Sequence, residues 1–279
     1  MERIITSSMI QDFENYLRVD EKSENTIEKY LRDVRAFCRA ISMKAITKSI
    51  VVEFKASLIG RYAVSSANSI IASVNAFFRF MGWLDCCIKQ FRMQKKVFCS
   101  EAKELTKSEY IRLVNAAKQS GNERLNLMIQ TICATGIRVS ELQYITVEAI
   151  RNGEAVVSCK NKTRTVFIVR ELQKKLLRYV NAKSIESGCV FVTRSGAPVS
   201  RCNVWREMKA LCEQAGVSPD KVFPHNLRHL FARTFYCIEK DIAKLADILG
   251  HSSINTTRIY IITTGAEHKR RMENMRLII

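Results

Sequence analysis

The sequence predicts a mainly α-helical protein with one small β-hairpin, arranged as an N-terminal helical bundle followed by an α+β domain. Three observations predict it. Apolar residues recur at three- and four-residue steps through most of the 279 positions, the spacing of one buried helical stripe. Alternating strand-like runs occur together only around 154–169, bracketed by Asn152-Gly153 and Lys160-Asn161. A basic, weakly periodic stretch from Lys89 to Glu104 separates two helical regions.

In the first region, Ser7 to Arg18 carries Ile10, Phe13, Tyr16 and Leu17 near helical spacing. Ser23 caps a second helix, whose stripe is Ile27, Tyr30, Leu31, Val34 and Phe37. A third helix is expected around Ile50–Leu58 and a fourth over Ser65–Met81. Phe77, Phe78 and Phe80 could stack on bases, but core packing is the better reading of aromatics at this spacing. These elements make residues 1–88 a four-helix unit, residues 89–104 a basic linker, and residues 105–279 a second domain.

The second domain opens with a capping-box pattern, Thr106-Lys107-Ser108-Glu109. Helices are expected at about 109–118 and 122–134, and Gly136 interrupts the run. Arg138-Val139-Ser140-Glu141 restarts it, placing Arg138 near a helix N-terminus, where anions are favoured. Pairing of Arg138 with Glu141 is the alternative. The hairpin follows as Glu154–Cys159, a turn over Lys160-Asn161-Lys162-Thr163, and a return from Arg164 to Val169. Helix 171–183, a short strand at Cys189–Val192, a Ser195-Gly196 turn and helix 201–214 complete the approach to the densest motif.

That motif is Pro224-His225-Asn226-Leu227-Arg228-His229, followed by Leu249-Gly250-His251-Ser252 and Thr256-Thr257-Arg258-Ile259-Tyr260. Three of the four histidines fall in it. His225 and Arg228 are three apart on a helix whose buried side is Leu227, Leu230, Phe231 and Phe235, so they can converge on one oxyanion. His225 and His229 are four apart, which suggests zinc. A zincin helix, however, needs glutamate directly after the first histidine, and Asn226 stands there. No metal is expected.

Charge narrows the partner. Lys and Arg number 45 against 27 Asp and Glu, a net charge of +18. Residues 1–100 hold 16 basic and 10 acidic groups, and the remainder holds 29 and 17. An excess spread over both regions suits a polyanion, DNA or RNA before an anionic membrane. The ten cysteines include no CxxC pair, the N-terminus lacks a signal peptide's apolar core, and no run approaches the ~20 residues needed to span a bilayer. A soluble, cytoplasmic protein with reduced thiols is expected. There is no GxxxxGK[ST] loop and no local carboxylate cluster for Mg²⁺. Phosphoryl transfer without metal needs cationic side chains around the phosphate and a nucleophile from the protein.

Taken together, Ala134-Thr135-Gly136-Ile137-Arg138-Val139-Ser140-Glu141-Leu142, His225-Asn226-Leu227-Arg228-His229, Leu249-Gly250-His251-Ser252 and Thr256-Thr257-Arg258-Ile259-Tyr260 resemble the motifs of the tyrosine recombinase (phage integrase) family, in the same order. Ser23–Tyr30 with Asp33–Phe37 resembles that family's helical core-binding domain. The resemblance implies an α+β tyrosine recombinase catalytic domain behind a DNA-binding bundle. It also implies cleavage and rejoining of double-stranded DNA through a 3′-phosphotyrosine, without metal, ATP or other cofactor.

Arg138 and Arg228 match the arginines that clamp the phosphate, His225 and His251 the two imidazole positions, and Tyr260 the nucleophile. Lys160 matches the general-acid lysine, with Lys162 as alternative because the turn is one residue short of the common form. Glu141 matches an acidic position that orients Arg138. The resemblance leaves His229 without a role. It further implies a homo-tetramer on paired sites, for which the tail Glu267–Ile279 offers a docking segment. Within it, a chromosomal Xer-type enzyme and a mobile-element integrase are not distinguished. Other readings are a DNA-binding protein without catalysis, or a type IB topoisomerase or telomere resolvase.

Overall fold

The computed structural model describes residues 3–42, 44–93, 103–159, 162–260 and 272–275. The chain divides into two compact units, Met1–Lys95 and Lys96–Ile279.

The first unit consists of helices α1 (Ser7–Val19), α2 (Glu24–Ala40), α3 (Lys48–Ser57) and α4 (Val64–Phe80). Thr6 and Thr47 cap α1 and α3 through their hydroxyls. Ser23 stands at the N-cap of α2, but its hydroxyl meets that of Thr26 instead. Phe13, Phe37, Phe77 and Phe78 are fully buried in edge-on and tilted contacts, so the aromatic cluster is core. One polar network enters this interior. The buried Asp33 accepts from Lys29 Nζ at 2.8 Å, Ser73 Oγ at 2.9 Å and Arg32 at 3.0 Å. Asn75 and Asn68, on α4, each pair by side chain with backbone of the following segment, at Ile88 and Phe91. Residues 88–91, partly inside the stretch expected to be a linker, therefore belong structurally to this unit.

The second unit is built on α5 (Lys107–Gln119) and α6 (Glu123–Thr135), with the expected capping box formed between Thr106 and Glu109. A six-residue 3-10 helix, Val139–Tyr144, leads to α7 (Val147–Asn152), which the sequence reading did not anticipate. Gly153, at φ 78°, ends α7 and turns the chain into β1 (Glu154–Cys159). That strand pairs antiparallel with β2 (Lys162–Phe167), Val157 opposite Arg164 and Ala155 opposite Val166. Lys162 and Thr163, expected in the turn, are already strand. The chain continues through α8 (Arg170–Ala182), α9 (Arg201–Ala210), α10 (Cys212–Ala215), α11 (Pro224–Glu239), α12 (Ile242–Leu249) and α13 (Ile254–Arg258).

Two further expectations are corrected. Cys189–Val192 forms isolated bridges to Thr146 and Pro198 rather than a strand. Val190 and Phe191 are buried in the core, so the apolar run reflects burial and not a ladder. The helix expected over 201–214 breaks at Leu211, whose N–H bonds back three residues to Met208 and tightens the turn. Core residues of α6, including Leu125, Met128, Ile129 and Ile132, are fully or almost fully buried, and α11 packs against this helix. No helix among the described residues is long and apolar enough to cross a membrane.

Candidate active site

Three helix ends meet at the site. Helix α6 stops at Gly136, which takes φ 66° and bonds its N–H to Ile132. A side chain there is excluded: a Cβ would stand 2.4 Å from the Phe231 ring. Helix α12 stops at Gly250 in the same left-handed conformation. Helix α11 starts at Pro224, whose fixed φ suits the first helical position. Both glycine stops leave carbonyls in the last helical turn without helical partners, and an arginine collects them.

That arginine is Arg228, one turn into α11 and only 1% exposed. It donates to Gly136 O at 2.6 Å, to Leu249 O at 2.7 Å and to His251 Nε2 at 3.0 Å. None of these partners is an anion, and no carboxylate forms an ion pair with Arg228 among the described residues. Burial, and then the charge of Arg138, disfavour its protonated form, which the Tyr260 phenol partly offsets. Arginine nonetheless stays charged in proteins. A buried, un-neutralised guanidinium is costly unless an anion joins it.

The tautomer of His251 follows from that contact. Arginine has no acceptor, so Nε2 must present its lone pair. The proton therefore sits on Nδ1, which donates to the buried Thr257 hydroxyl at 2.8 Å. Burial and the charges of Arg228, Arg138 and Arg164 pull His251 down to about 4, so it is neutral at pH 7. His225, second residue of α11, is lowered by the same causes, burial first and then Arg228 and Arg138.

Tyr260 follows α13 and is 4% exposed. Its ring stands 4.3 Å from that of His229, 5.5 Å from His251 in a stacked arrangement, and 5.8 Å from His225. Three imidazoles thus surround one phenol. His229 is the least expected of them. Its Nδ1 is buried without a hydrogen-bond partner, and burial, with His225 and Arg228, lowers it to about 4.

Arg138 caps the 3-10 helix rather than an α-helix, so the helix-dipole reading does not hold there. Its side chain is 37% exposed and reaches Glu141 Oε1 at 2.9 Å, while its N–H donates to Oε2 at 2.7 Å. The pairing weighed from sequence is therefore present, and a cation still faces solvent. Glu141 is 2% exposed and also receives both terminal nitrogens of Arg164, at 3.0 and 2.7 Å. Burial opposes ionisation of Glu141, but the bonds from Arg164 and Arg138 outweigh it and hold the carboxyl below its ordinary range. A cavity of about 670 Å³ opens beside Arg138, His225 and Arg228, walled by Trp205, Phe223 and Pro224.

The structure thus brings Arg138, Glu141, His225, Arg228, His251 and Tyr260 together around one cationic centre. Lys160 lies outside the described residues, and of Lys162 only the backbone, at the start of β2, is described. Sequence reading missed Arg164 and Thr257. A charged residue on the same strand alternation as the apolar Val166 and Ile168 was the available signal for the first.

Comparison with known proteins gives a consistent picture. Residues 103–266 match the phage integrase family, and residues 10–83 match the phage integrase N-terminal SAM-like domain. The chain is 28% identical over 285 residues to the tyrosine recombinase XerA of Pyrococcus furiosus, covering 99% of this chain and 97% of the relative. The crystal structure of a XerA recombinase superposes with a TM-score of 0.54 at 25% identity, over 99% of this chain and 100% of the other. A lambda integrase tetramer bound to a Holliday junction has the same fold, with a TM-score of 0.74 at 20% identity, over 92% and 77% of the two chains.

Proposed function

This chain belongs to the phage integrase, or tyrosine recombinase, family, and we propose that it is a site-specific recombinase that cleaves and rejoins double-stranded DNA. One observation carries the chemistry. Arg228 is a buried cation with no anionic partner among the described residues, and the phenol of Tyr260 lies against it.

In this reading, the scissile phosphate enters the cavity and takes the place of the missing anion between Arg228 and Arg138. Guanidinium forks suit a phosphate's paired oxygens and favour the pentacoordinate transition state. The Tyr260 hydroxyl passes its proton to one of the neutral imidazoles beside it, its oxygen attacks phosphorus, the bond to the 5′-oxygen breaks, and a 3′-phosphotyrosine and a 5′-hydroxyl result. Neutral His251 and His225 exchange protons at the phosphate. Lys160 protonates the leaving 5′-oxygen, with Lys162 as the alternative, and Glu141 orients Arg138. The phosphodiester's energy stays in the covalent link, so rejoining needs no nucleotide. Cationic side chains perform the neutralisation that a metal would otherwise supply.

The partner is duplex DNA, consistent with the +18 net charge. We assign a tetramer on paired sites, by likeness to the lambda integrase tetramer on a Holliday junction. The segment 267–279, of which only 272–275 lie within the described residues, is its docking element, and the cytoplasm its location.

A suicide DNA substrate tests this reading. The wild-type chain should leave a covalent protein–DNA adduct on a denaturing gel, and Tyr260→Phe should bind the same DNA without one. An adduct from Tyr260→Phe would move the nucleophile elsewhere. DNA binding with no adduct from the wild type would leave a binding protein without catalysis.

A further inference from the structure

Arg164 has no part in the chemistry outlined above, yet its environment is unusual for a strand residue. It lies on β2 opposite Val157, with the neighbouring pair Ala155 and Val166 buried. Its side chain is 13% exposed and forks onto Glu141, both terminal nitrogens engaged and Nε buried without a partner. The same carboxylate holds Arg138. On its other side Arg164 presses against the bare backbone of Gly250, the residue before His251: a Cβ there would stand 2.8 Å from its Cδ. One side chain therefore touches the group that orients one clamp arginine and the corner that carries His251.

A two-stranded hairpin has little stability alone. This one buries Ala155, Val157 and Val166 in the core of the second unit, and among the described residues two side-chain tethers, both to the 3-10 helix Val139–Tyr144, fix it further. Tyr144 donates to Ser158 O on β1 at 2.7 Å, and Arg164 on β2 bonds Glu141.

We propose that Arg164 is a positioning residue that locks the hairpin, and with it the hairpin lysine, onto the phosphate clamp through Glu141. The proposal rests on the reading above, in which a hairpin lysine donates the proton that releases the 5′-oxygen. A solvated ion pair would have no such consequence. This pair is withdrawn from water and bidentate, so its loss should displace the strand rather than merely remove a charge.

The test uses two suicide substrates, one with the ordinary 5′-oxygen and one with sulfur in its place. A thiolate leaves without a proton, so the second substrate bypasses the general acid. On the ordinary substrate, Arg164→Met should form adduct about a hundredfold more slowly, the scale of a misplaced catalytic group. On the sulfur substrate it should return to within about fivefold of wild type, following the same logic of an omitted proton transfer. Arg164→Lys, which keeps the charge and loses the fork, should show a smaller defect with the same recovery, and it stands in should Arg164→Met fold poorly.

An equal defect on both substrates would overturn the proposal, assigning Arg164 to general stability or to the clamp. Lys160→Ala and Lys162→Ala on the same pair test the underlying reading. If one of them recovers on sulfur and the Arg164 variants do not, only the Arg164 inference fails. If neither lysine variant recovers, the hairpin is not the acid and both fall.

Discussion

Arg228 donates to the carbonyl oxygen of Gly136 at 2.6 Å, and this bond ties the end of α6 to α11 one turn from its start. Ninety-two positions separate the two residues in the chain. The geometry requires glycine twice over, for its left-handed φ of 66° and for the Phe231 ring against it.

Gly136→Ala should therefore destabilise the second unit. The left-handed backbone costs about 1–2 kcal/mol, and overpacking against Phe231 adds about 1–3 kcal/mol. Urea unfolding of the variant checks this, and a midpoint unchanged from wild type would mean that Phe231 swings away freely.

Arg228→Ala should lose adduct formation by about 10²–10³-fold, the scale seen when one oxyanion donor is removed. DNA affinity should fall much less, because Arg228 is one of 45 basic side chains that can neutralise the backbone. Single-turnover cleavage beside a binding titration separates the two. Near-normal cleavage would refute the clamp.

Stability should depend on pH in a window set by the buried imidazoles. His251 and His229 sit at about 4 when folded, against an ordinary value near ~6.5. Between those values the unfolded chain binds more protons than the folded one, so stability rises with pH. It should be fully present above about pH 6.5 and be lost progressively toward pH 4. Tm followed from pH 7.5 to 4.5 tests the trend, and His229→Gln should flatten part of it. A Tm that stays constant down to pH 5 would contradict the neutral assignment.

In the first unit, Asp33→Ala should cost about 2–4 kcal/mol. That is slightly below the range for a fully buried pair, since Lys29 and Arg32 keep access to water. Asp33→Asn, which can still accept from Ser73, should cost less. Denaturant titration of both variants provides the comparison, and equal stability of Asp33→Ala and wild type would show the network to be dispensable.

Much of this protein was legible in the sequence because its signals are local. Apolar steps of three and four residues specify α1, α2, α4 and α11, and the Thr106–Glu109 capping box needs only its own turn. The resemblance of four ordered motifs to a known family points to Arg138, His225, Arg228, His251 and Tyr260 from the sequence alone. Where local signals compete, the reading failed. Cys189–Val192 is apolar because it is buried, and nothing in its sequence tells a core segment from a strand. The 3-10 helix after Gly136 and the break at Leu211 depend on which carbonyl each N–H finds.

The tertiary structure alone decided what charges and protons do at the site. That Arg228 is buried among carbonyls, an imidazole and a phenol, with no carboxylate paired to it among the described residues, depends on two helix ends reached from distant parts of the chain. The proton on His251 Nδ1 follows from Arg228 on one side and Thr257 on the other. Arg164, an ordinary strand residue in the sequence, becomes Glu141's partner only when the hairpin folds over Val139–Tyr144. Hydrophobic periodicity is written in neighbouring residues, whereas burial of a charge and the state of a proton are set by groups that meet only in the folded chain.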